Sequence, residues 1–371
     1  MRVAVDAMGG DAAPAAVVEG AVEAHREHGI ESLLVGDLAR VEAELERLGA
    51  LRLPLPRRAA SQRVEAGESP MEAFRNKPDS SLRVALEAVR AGEAQAFVSA
   101  GDTGAAFACA YQVVGCLKGV LRPAIATLIP TLQGYSIMLD VGANVDCRPQ
   151  HLFQFGMMGV AYAALALGKS APRLGLLNVG DEEAKGNQVT KLVHQMFRRS
   201  GLNFVGNVEG NALFQGEADV VVCDGFSGNI ALKVSESLGE MVEQMLREQL
   251  QSTWRSRMGY LLLQNGLKSF RQRLDWSEYG GAPLLGLSAC CIIAHGRSDA
   301  KAIKNAIRTA AELERSGLNE RICREIEEHL AVQRSAERRR RLWHRLSDLV
   351  SRGEGEEETP PQPPAREDEE R

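Results

Sequence analysis

Short apolar runs that end in small polar residues are the main repeating pattern of this chain. In the clearest case, the β-branched run from Val220 to Cys223 is closed by Asp224, and mainly glycine, serine and asparagine follow up to Asn229. From Ile230 onward, apolar residues recur every three to four positions, which predicts a helix. An apolar run of this kind suits a strand buried on both faces of a parallel sheet. The stretch therefore predicts a strand, a polar turn and a helix whose positive end can bind an anion.

The same succession is predicted at four other places. The polar turns there are MGGD at 8–11, SAGDTG at 99–104, DVGANVD at 140–146 and GDEEAKGN at 180–187. Alternating strands and helices at this spacing predict an α/β fold, a mostly parallel twisted sheet with helices on both faces in three layers. Ligands of such sheets bind beyond the carboxyl ends of the strands, so we expect these turns to converge on one anion site. Turns that merely connect the elements remain the alternative.

The segments between these junctions give weaker patterns. We expect residues 51–66 to be irregular and residues 68–81, with Arg75 and Lys77, to form a long polar loop of the kind that is often functional. The apolar run from Leu285 to Ala294 predicts one strand. Ser298 is expected to cap the helix that follows.

The chain divides by composition into three parts. Residues 1–317 are expected to form one α/β domain, residues 318–350 a C-terminal helix, and residues 351–371 a disordered acidic tail. The tail carries eight acidic and three basic residues, so it accounts for the whole formal net charge of −5. The remaining chain is balanced in charge. It therefore gives no electrostatic argument for a nucleic-acid partner.

The sequence also indicates the compartment. No apolar run reaches the roughly 18–20 residues that a transmembrane helix needs, and the N-terminus lacks the apolar stretch of a signal peptide. The seven cysteines include no C-x-x-C pair, and an odd number without regular spacing is typical of a reducing environment. We therefore expect a cytoplasmic protein.

Two nucleotide-binding motifs are absent. Gly168-Lys169-Ser170 resembles the end of a P-loop, but Ala163 stands where the motif requires glycine, and the preceding segment is helical. No G-x-G-x-x-G follows any predicted strand, which argues against a dinucleotide site.

One segment, residues 251–274, is basic and amphipathic. It contains five basic residues and no acidic ones, and Asn265-Gly266 divides it into two short predicted helices. Such a helical pair can lie on an anionic membrane or bind an acidic partner. Packing at a subunit interface is the alternative. The candidate contact residues are Trp254, Leu261, Leu263, Lys268, Phe270 and Arg271.

With these motifs in order, the chain resembles the bacterial phosphate acyltransferase family of phospholipid synthesis. The resemblance covers roughly residues 1–316. The matching stretches are VAVDAMGGD at 3–11, KPDSS at 77–81, VSAGDTGA at 98–105, DVGANVDC at 140–147, residues 180–187, GNVEG at 206–210, VVCDGFSGN at 221–229, SEYGGAPLLG at 277–286 and AHGRSDAKAIKNAI at 294–307. The chain departs from the family pattern at Ala12, where histidine is usual, and at Asp102, where asparagine is usual.

The resemblance implies transfer of a long-chain fatty acyl group from acyl carrier protein to inorganic phosphate. It also implies a homodimer that associates peripherally with the inner face of the membrane and works without a cofactor or a metal. Phosphate oxygen can attack a thioester directly, so the enzyme needs to hold the dianion, orient it and stabilise the tetrahedral oxyanion.

Three groups of residues suit these tasks. Lys185 and Asn229 are candidates for orienting phosphate or stabilising the oxyanion, and His295 for proton transfer, although a structural role for His295 is equally compatible. Asp6, Asn144 and Asp224 are expected to fix turn geometry. The other expected phosphate-binding residues are Gly9, Gly10, Ser99, Gly101, Asp102, Thr103, Ser227 and Gly228.

Other functions remain open at this stage. A short-chain phosphate acyltransferase that uses coenzyme A, an oxidoreductase, and a non-catalytic membrane-associated scaffold for carrier protein share much of this pattern.

Overall fold

An eleven-stranded mixed sheet forms the centre of the computed structural model, which describes residues 1–253, 256, 258–259 and 280–329. Seven of its ten strand pairings are parallel. The mostly parallel α/β sheet is therefore confirmed. The strands are β1 (Arg2–Asp6), β2 (Glu31–Gly36), β3 (Arg57–Ala59), β4 (Ala96–Ser99), β5 (Ala124–Thr131), β6 (Gly134–Leu139), β7 (Leu174–Asn178), β8 (Phe204–Glu209), β9 (Val220–Val222), β10 (Ala282–Leu285) and β11 (Cys290–Ile293).

Helices cover both faces of this sheet. They are α1 (Ala15–His28), α2 (Leu38–Arg47), α3 (Pro70–Asn76), α4 (Ser81–Arg90), α5 (Thr103–Val113), α6 (Pro149–Ala166), α7 (Gln188–Arg198), α8 (Gly225–Gln251) and α9 (Ala300–Arg315). Helices α4 and α5 bury their apolar sides in one core that includes Phe97, Met138 and Val221. Gly159 of α6 packs against Val220 and Leu139, whose side chains point to the opposite face because strand residues alternate.

Two antiparallel strands divide the sheet into two parallel sets. The strand order is β3-β2-β1-β4-β11-β10-β5-β6-β9-β7-β8. The first five strands are mutually parallel, as are the last four, whereas β10 and β5 join the two sets through antiparallel pairings. Followed along the sheet, the two sets run in opposite directions. The polar turns therefore belong to two sets of strands, and their convergence on one anion site stays a prediction.

Helix α8 connects the two groups of turns. It begins at the carboxyl end of β9, and further along the helix Glu240 pairs with Arg297, which follows β11. The charges of Lys233 and Glu236 on α8 also act on His295. The long helix thus extends from the second set of strands to the turn of the first set.

Several element boundaries differ from the sequence-based expectation. The predicted strand 285–294 is not continuous, because β10 ends at Leu285 and β11 begins at Cys290; the two strands pair as an antiparallel hairpin. The interval 51–66 contains β3, and the interval 68–81 contains α3 with Pro70 in its first turn. Asp299, and not Ser298, caps α9, since its carboxylate accepts a hydrogen bond from Ala302 N at 2.9 Å. Helix α8 begins at Gly225, so the polar residues up to Asn229 form its first turn.

Two compact units are distinguished, Met1–Ile326 and Glu327–Arg371. Most of the basic segment 251–274 and all of the expected acidic tail lie outside the described residues, so these expectations and the proposed division at residues 317 and 350 stay predictions. Within the described residues, no helix has both the length and the apolar character that crossing a bilayer requires.

Candidate active site

A fully buried carboxylate organises the turn after β6. Asp140 Oδ2 accepts hydrogen bonds from Asn144 N at 2.7 Å and Asn144 Nδ2 at 2.8 Å, while Oδ1 accepts from Ala143 N and Ile125 N, both at 3.0 Å. Burial raises the pKa of Asp140, and these bonds oppose that shift. Asn144 is thereby fixed in place, as we expected for a residue that sets turn geometry. Sequence reasoning missed Asp140 itself, although it is the first residue of DVGANVD.

The first turn of α8 is joined directly to the turn after β6. Gly225 N donates to Asn144 O at 2.8 Å. Asp224 caps the helix, since its carboxylate accepts from Ser227 N at 2.7 Å and from Ser227 Oγ at 3.2 Å. Gly228 N donates to Asp224 O at 2.9 Å. The N–H groups of Ser227 and Gly228 are therefore bonded within this turn, and their expected contact with phosphate stays a prediction.

Asn229 lies on the open side of the same junction. Its side chain is exposed and packs over the Gly142 turn, where a Cβ atom on Gly142 would lie 3.6 Å from Asn229 Oδ1. Gly142 has φ of 140°, a conformation that favours glycine. The amide of Asn229 therefore lies against Gly142, in the turn that the Asp140 carboxylate organises.

Lys185 belongs to the turn that follows β7, the neighbour of β9 in the sheet. Its side chain is 53% exposed, and Nζ lies 3.9 Å from Glu182 Oε2 in an equally exposed ion pair. An exposed pair of this kind is weak, so the cation remains available to an anionic substrate. The carboxyl ends of β6, β9 and β7 therefore bring Asn144, Asp224, Asn229 and the Lys185 turn to one edge of the sheet.

Two cysteines border this edge. Burial raises the pKa of Cys147 to about 12, with the Asp140 and Asp224 carboxylates adding to the shift. Burial and the same carboxylates raise the pKa of Cys223 well above its ordinary value. Both side chains are therefore thiols at neutral pH, and a thiol is a much weaker nucleophile than a thiolate.

A second polar group lies at the carboxyl ends of the first set of strands. Asp6 is buried and accepts hydrogen bonds from Ser99 Oγ at 2.8 Å and Met8 N at 3.2 Å, while burial raises its pKa. Gly101 N donates to Ser99 Oγ at 3.0 Å. A Cβ atom on Gly9 would lie 2.6 Å from Asp6 Oδ2 and 2.8 Å from Gly101 N, so the turns after β1 and β4 approach each other through glycine. Asp6 therefore holds the turns after β1 and β4 together, and its expected place in the phosphate site stays a prediction.

The remaining candidates of the first set lie around the start of α5 and the turn after β11. Asp102 caps α5 by accepting from Ala105 N at 2.9 Å, and Thr103 next to it is exposed. Asp102, one of the two departures from the family pattern, thus has a local structural task. Gly10 approaches the Gly296 carbonyl, because a Cβ atom there would lie 3.1 Å from that oxygen.

His295 follows β11 in the first set of strands, whereas Lys185 and Asn229 follow strands of the second set. Arg297 N donates to His295 Nδ1 at 3.3 Å, so the neutral ring carries its hydrogen on Nε2. Burial lowers the pKa of His295, and the charges of Lys233 and Arg297 lower it further. His295 is therefore a neutral hydrogen-bond donor at pH 7. No group of three or more His, Cys, Asp or Glu side chains among the described residues is arranged to hold a metal ion.

The fold is that of the phosphotransacetylases. A phosphotransacetylase from Streptococcus pyogenes superposes with a TM-score of 0.57 at 18% identity, over 84% of this chain and 93% of that one. A branched-chain phosphotransacylase from Enterococcus faecalis gives a TM-score of 0.53 at 14% identity, over 85% and 99% of the two chains. Identities this low establish the architecture only.

Sequence relatives identify the family. The model of the "Fatty acid synthesis protein" family matches residues 1–321. Phosphate acyltransferases from Geobacter sulfurreducens and Geotalea uraniireducens are 48% and 49% identical to this chain, over 88% and 89% of its length and 94% and 95% of theirs. The chain belongs to this family of phosphate acyltransferases in lipid synthesis, which confirms the resemblance drawn from its motifs.

Proposed function

We propose that the chain transfers a long-chain fatty acyl group from acyl carrier protein to inorganic phosphate, in the cytoplasm and beside the membrane. The products are acyl phosphate and the free carrier thiol. The observation that carries this proposal is the edge formed by β6, β9 and β7, where a cation, an exposed amide and a helix N-terminus lie together. A dianion and a developing oxyanion both require donors of this kind.

The chemistry proceeds by direct attack of phosphate on the thioester. Cys147 and Cys223, the thiols nearest this edge, have raised pKa values, so they are poorly suited to forming a covalent acyl-enzyme. A phosphate oxygen forms the new bond to the carbonyl carbon, and the tetrahedral intermediate then expels the carrier thiolate. Lys185 and Asn229 are proposed to orient the phosphate and stabilise the oxyanion.

The assignment of Lys185 and Asn229 is tested by substitution. Lys185→Ala and Asn229→Ala should each lower the rate of thiol release by about 10²-fold, the usual effect of losing one oxyanion donor. Both side chains are exposed, so the melting temperature should change little. Native rates in both variants would show that this is the wrong site.

The acyl donor is tested separately. Purified protein should release thiol from long-chain acyl carrier protein only when phosphate is present, and hydroxylamine should trap the acyl phosphate. A short-chain coenzyme A thioester is the alternative donor, which the phosphotransacetylase fold makes worth testing. A higher kcat/KM with acetyl-coenzyme A would overturn the long-chain assignment, and carrier binding without turnover would indicate a scaffold.

We also propose a homodimer that packs through α8. The apolar stripe of this helix is exposed in the single chain, at Ile230, Val234, Leu238, Met241, Val242 and Met245. Exposure of so long an apolar stripe to water is unfavourable, and packing against the same helix of a second copy would bury it. Leu238→Glu with Met241→Glu should give a monomer in sedimentation velocity. A dimer that persists in this variant would place the interface elsewhere.

Peripheral membrane contact is proposed for residues 251–274. Each basic residue near an anionic surface contributes on the order of 1 kcal/mol, and the apolar side chains add burial. Replacing Leu261, Leu263 and Phe270 with serine should release the protein from anionic vesicles and spare its activity on soluble substrate. A variant that still floats with vesicles would implicate another surface. One that loses its dimer would assign the segment to the interface.

A further inference from the structure

The turn that carries Lys185 is anchored by two asparagines on neighbouring strands. Asn178 ends β7, and its Nδ2 donates to Lys185 O at 3.3 Å. Asn207 lies in β8, which runs parallel to β7, and its Nδ2 donates to Glu182 O at 2.9 Å. Glu182 O also accepts from Lys185 N at 3.0 Å. Asn207 therefore holds the same carbonyl to which the main chain of Lys185 is bonded.

The contacts of Asn207 fix the orientation of its own amide group. A carbonyl oxygen only accepts, so the NH₂ group of Asn207 must face Glu182 O, and Oδ1 then faces His194 Nδ1 at 3.1 Å. Since Oδ1 also only accepts, His194 Nδ1 carries the hydrogen. His194 therefore donates to Asn207, and Asn207 donates to the backbone of the turn.

His194 is itself immobilised beneath the turn. It is 5% exposed, and its ring meets Phe204 edge to face with centroids 5.0 Å apart. Its Nε2 is buried, makes no hydrogen bond to a described residue, and lies 4.0 Å from Glu183 Oε2 of the same turn. Arg198 Nη1 contacts that carboxylate from α7 at 3.3 Å. Nδ1 of His194 thus bonds to Asn207, which holds Glu182 O, and Nε2 lies near Glu183. Both glutamates belong to the turn that carries Lys185.

We propose that Asn207 and His194 are positioning residues for Lys185. They set the backbone of the 180–187 turn, and thereby the direction of the Lys185 side chain, without touching substrate. A catalytic group displaced by about 1 Å can lose about 10²-fold in rate, so such anchoring is a large effect. This inference rests on the proposed function of Lys185.

A double-mutant cycle with a matched control tests the proposal. Asn207→Ala should lower kcat/KM by about 10-fold or more in the wild-type background but by less than about 2-fold in Lys185→Ala, because both changes remove one function. Asn203→Ala is the control. Asn203 Nδ2 makes one hydrogen bond to Ala171 O at 3.0 Å, near the amino ends of β7 and β8. Its loss should leave kcat/KM within about 2-fold.

Proteolysis measures how readily the 180–187 turn opens, independently of activity. Opening of the turn speeds tryptic cleavage after Lys185, so Asn207→Ala should be cut there several-fold faster than the wild type, and Asn203→Ala should not. His194→Asn keeps a donor near the position of Nδ1 and should retain most of the rate, whereas His194→Phe fills the space without a donor and should lose it. This pair decides the matter if Asn207→Ala fails to fold.

The outcomes distinguish failure of the positioning role from failure of the proposed site. Equal rate losses for Asn207→Ala and Asn203→Ala, or losses that multiply with that of Lys185→Ala, overturn the positioning role and leave the reaction intact. Indistinguishable rates for His194→Asn and His194→Phe also overturn it. A native rate for Lys185→Ala overturns the proposed site, and the positioning role falls with it.

Discussion

The closest backbone approach in the candidate site is between Gly228 of α8 and the turn after β6. A Cβ atom at Gly228 would lie 1.9 Å from Asp140 O and 2.8 Å from Cys223 Sγ, whereas Cβ contacts below 3.0 Å essentially do not occur. Asp140 is fully buried and its carboxylate accepts four hydrogen bonds, so this turn cannot yield easily. Gly228→Ala must therefore displace the first turn of α8 by about 1 Å.

Gly228→Ala is expected to lower both the rate and the stability. A shift of about 1 Å moves Asn229 away from the Gly142 turn, and a displacement of that size can cost about 10²-fold in rate. Overpacking costs about 1–3 kcal/mol, and replacing a helical glycine by alanine returns up to about 1 kcal/mol. The net loss in the free energy of unfolding should therefore be about 0–3 kcal/mol.

Gly239→Ala on the same helix is the matched control. A Cβ atom there meets nothing within 4 Å, so the variant should keep its rate and gain up to about 1 kcal/mol of stability. Thiol release from acyl carrier protein measures the rate, and chemical denaturation measures the free energy of unfolding. A Gly228→Ala enzyme that folds and keeps a rate within about threefold of the wild type would show that the start of α8 tolerates the displacement.

Three further predictions concern the cysteine nearest the site, His295 and the amino ends of the strands. Cys147→Ala should keep the rate within about threefold, because burial first and nearby carboxylates second keep its thiol protonated; a loss near 10²-fold would indicate an acyl-enzyme. The folded pKa of His295 lies below its unfolded value, so the stability that the neutral ring contributes is lost as pH falls through the folded pKa. Between about pH 7.5 and pH 5, the melting temperature of the wild type should therefore fall further than that of His295→Gln. Parallel curves of melting temperature against pH would contradict this. Arg173→Gln removes the guanidinium contacts of Asp219, which is 5% exposed and keeps only Lys169 at 3.6 Å and the backbone N–H of residue 173. The variant should lose about 1–2 kcal/mol in denaturation with an unchanged rate, because both residues lie at the amino ends of β7 and β9.

The polar-turn junctions could be predicted because their signals are local. Helix α5 begins at Thr103, within the predicted turn 99–104, and α7 begins at Gln188, directly after the predicted turn 180–187. An apolar run closed by aspartate and glycine specifies strand and turn within about ten residues, whatever the rest of the chain does. The same locality made the family motifs readable, and with them the class of enzyme.

The arrangement of these junctions could not be predicted from local signals. Direction in a sheet depends on pairing between segments distant in sequence, such as Leu284 with Ile125, and an apolar run looks the same in a parallel or an antiparallel neighbourhood. For that reason β5 and β10 were missed, and the division of the polar turns between two sets of strands was not foreseen.

The supporting side chains were hidden for the same reason. Asp140, His194 and Asn207 act through contacts with partners up to 25 residues away, and nothing in their immediate neighbours marks them as bonded. The sequence by itself determined which residues turn the chain and which chemistry they suit. The tertiary structure alone decided which of those turns meet, because hydrogen bonding between distant strands sets both the order and the direction of the sheet.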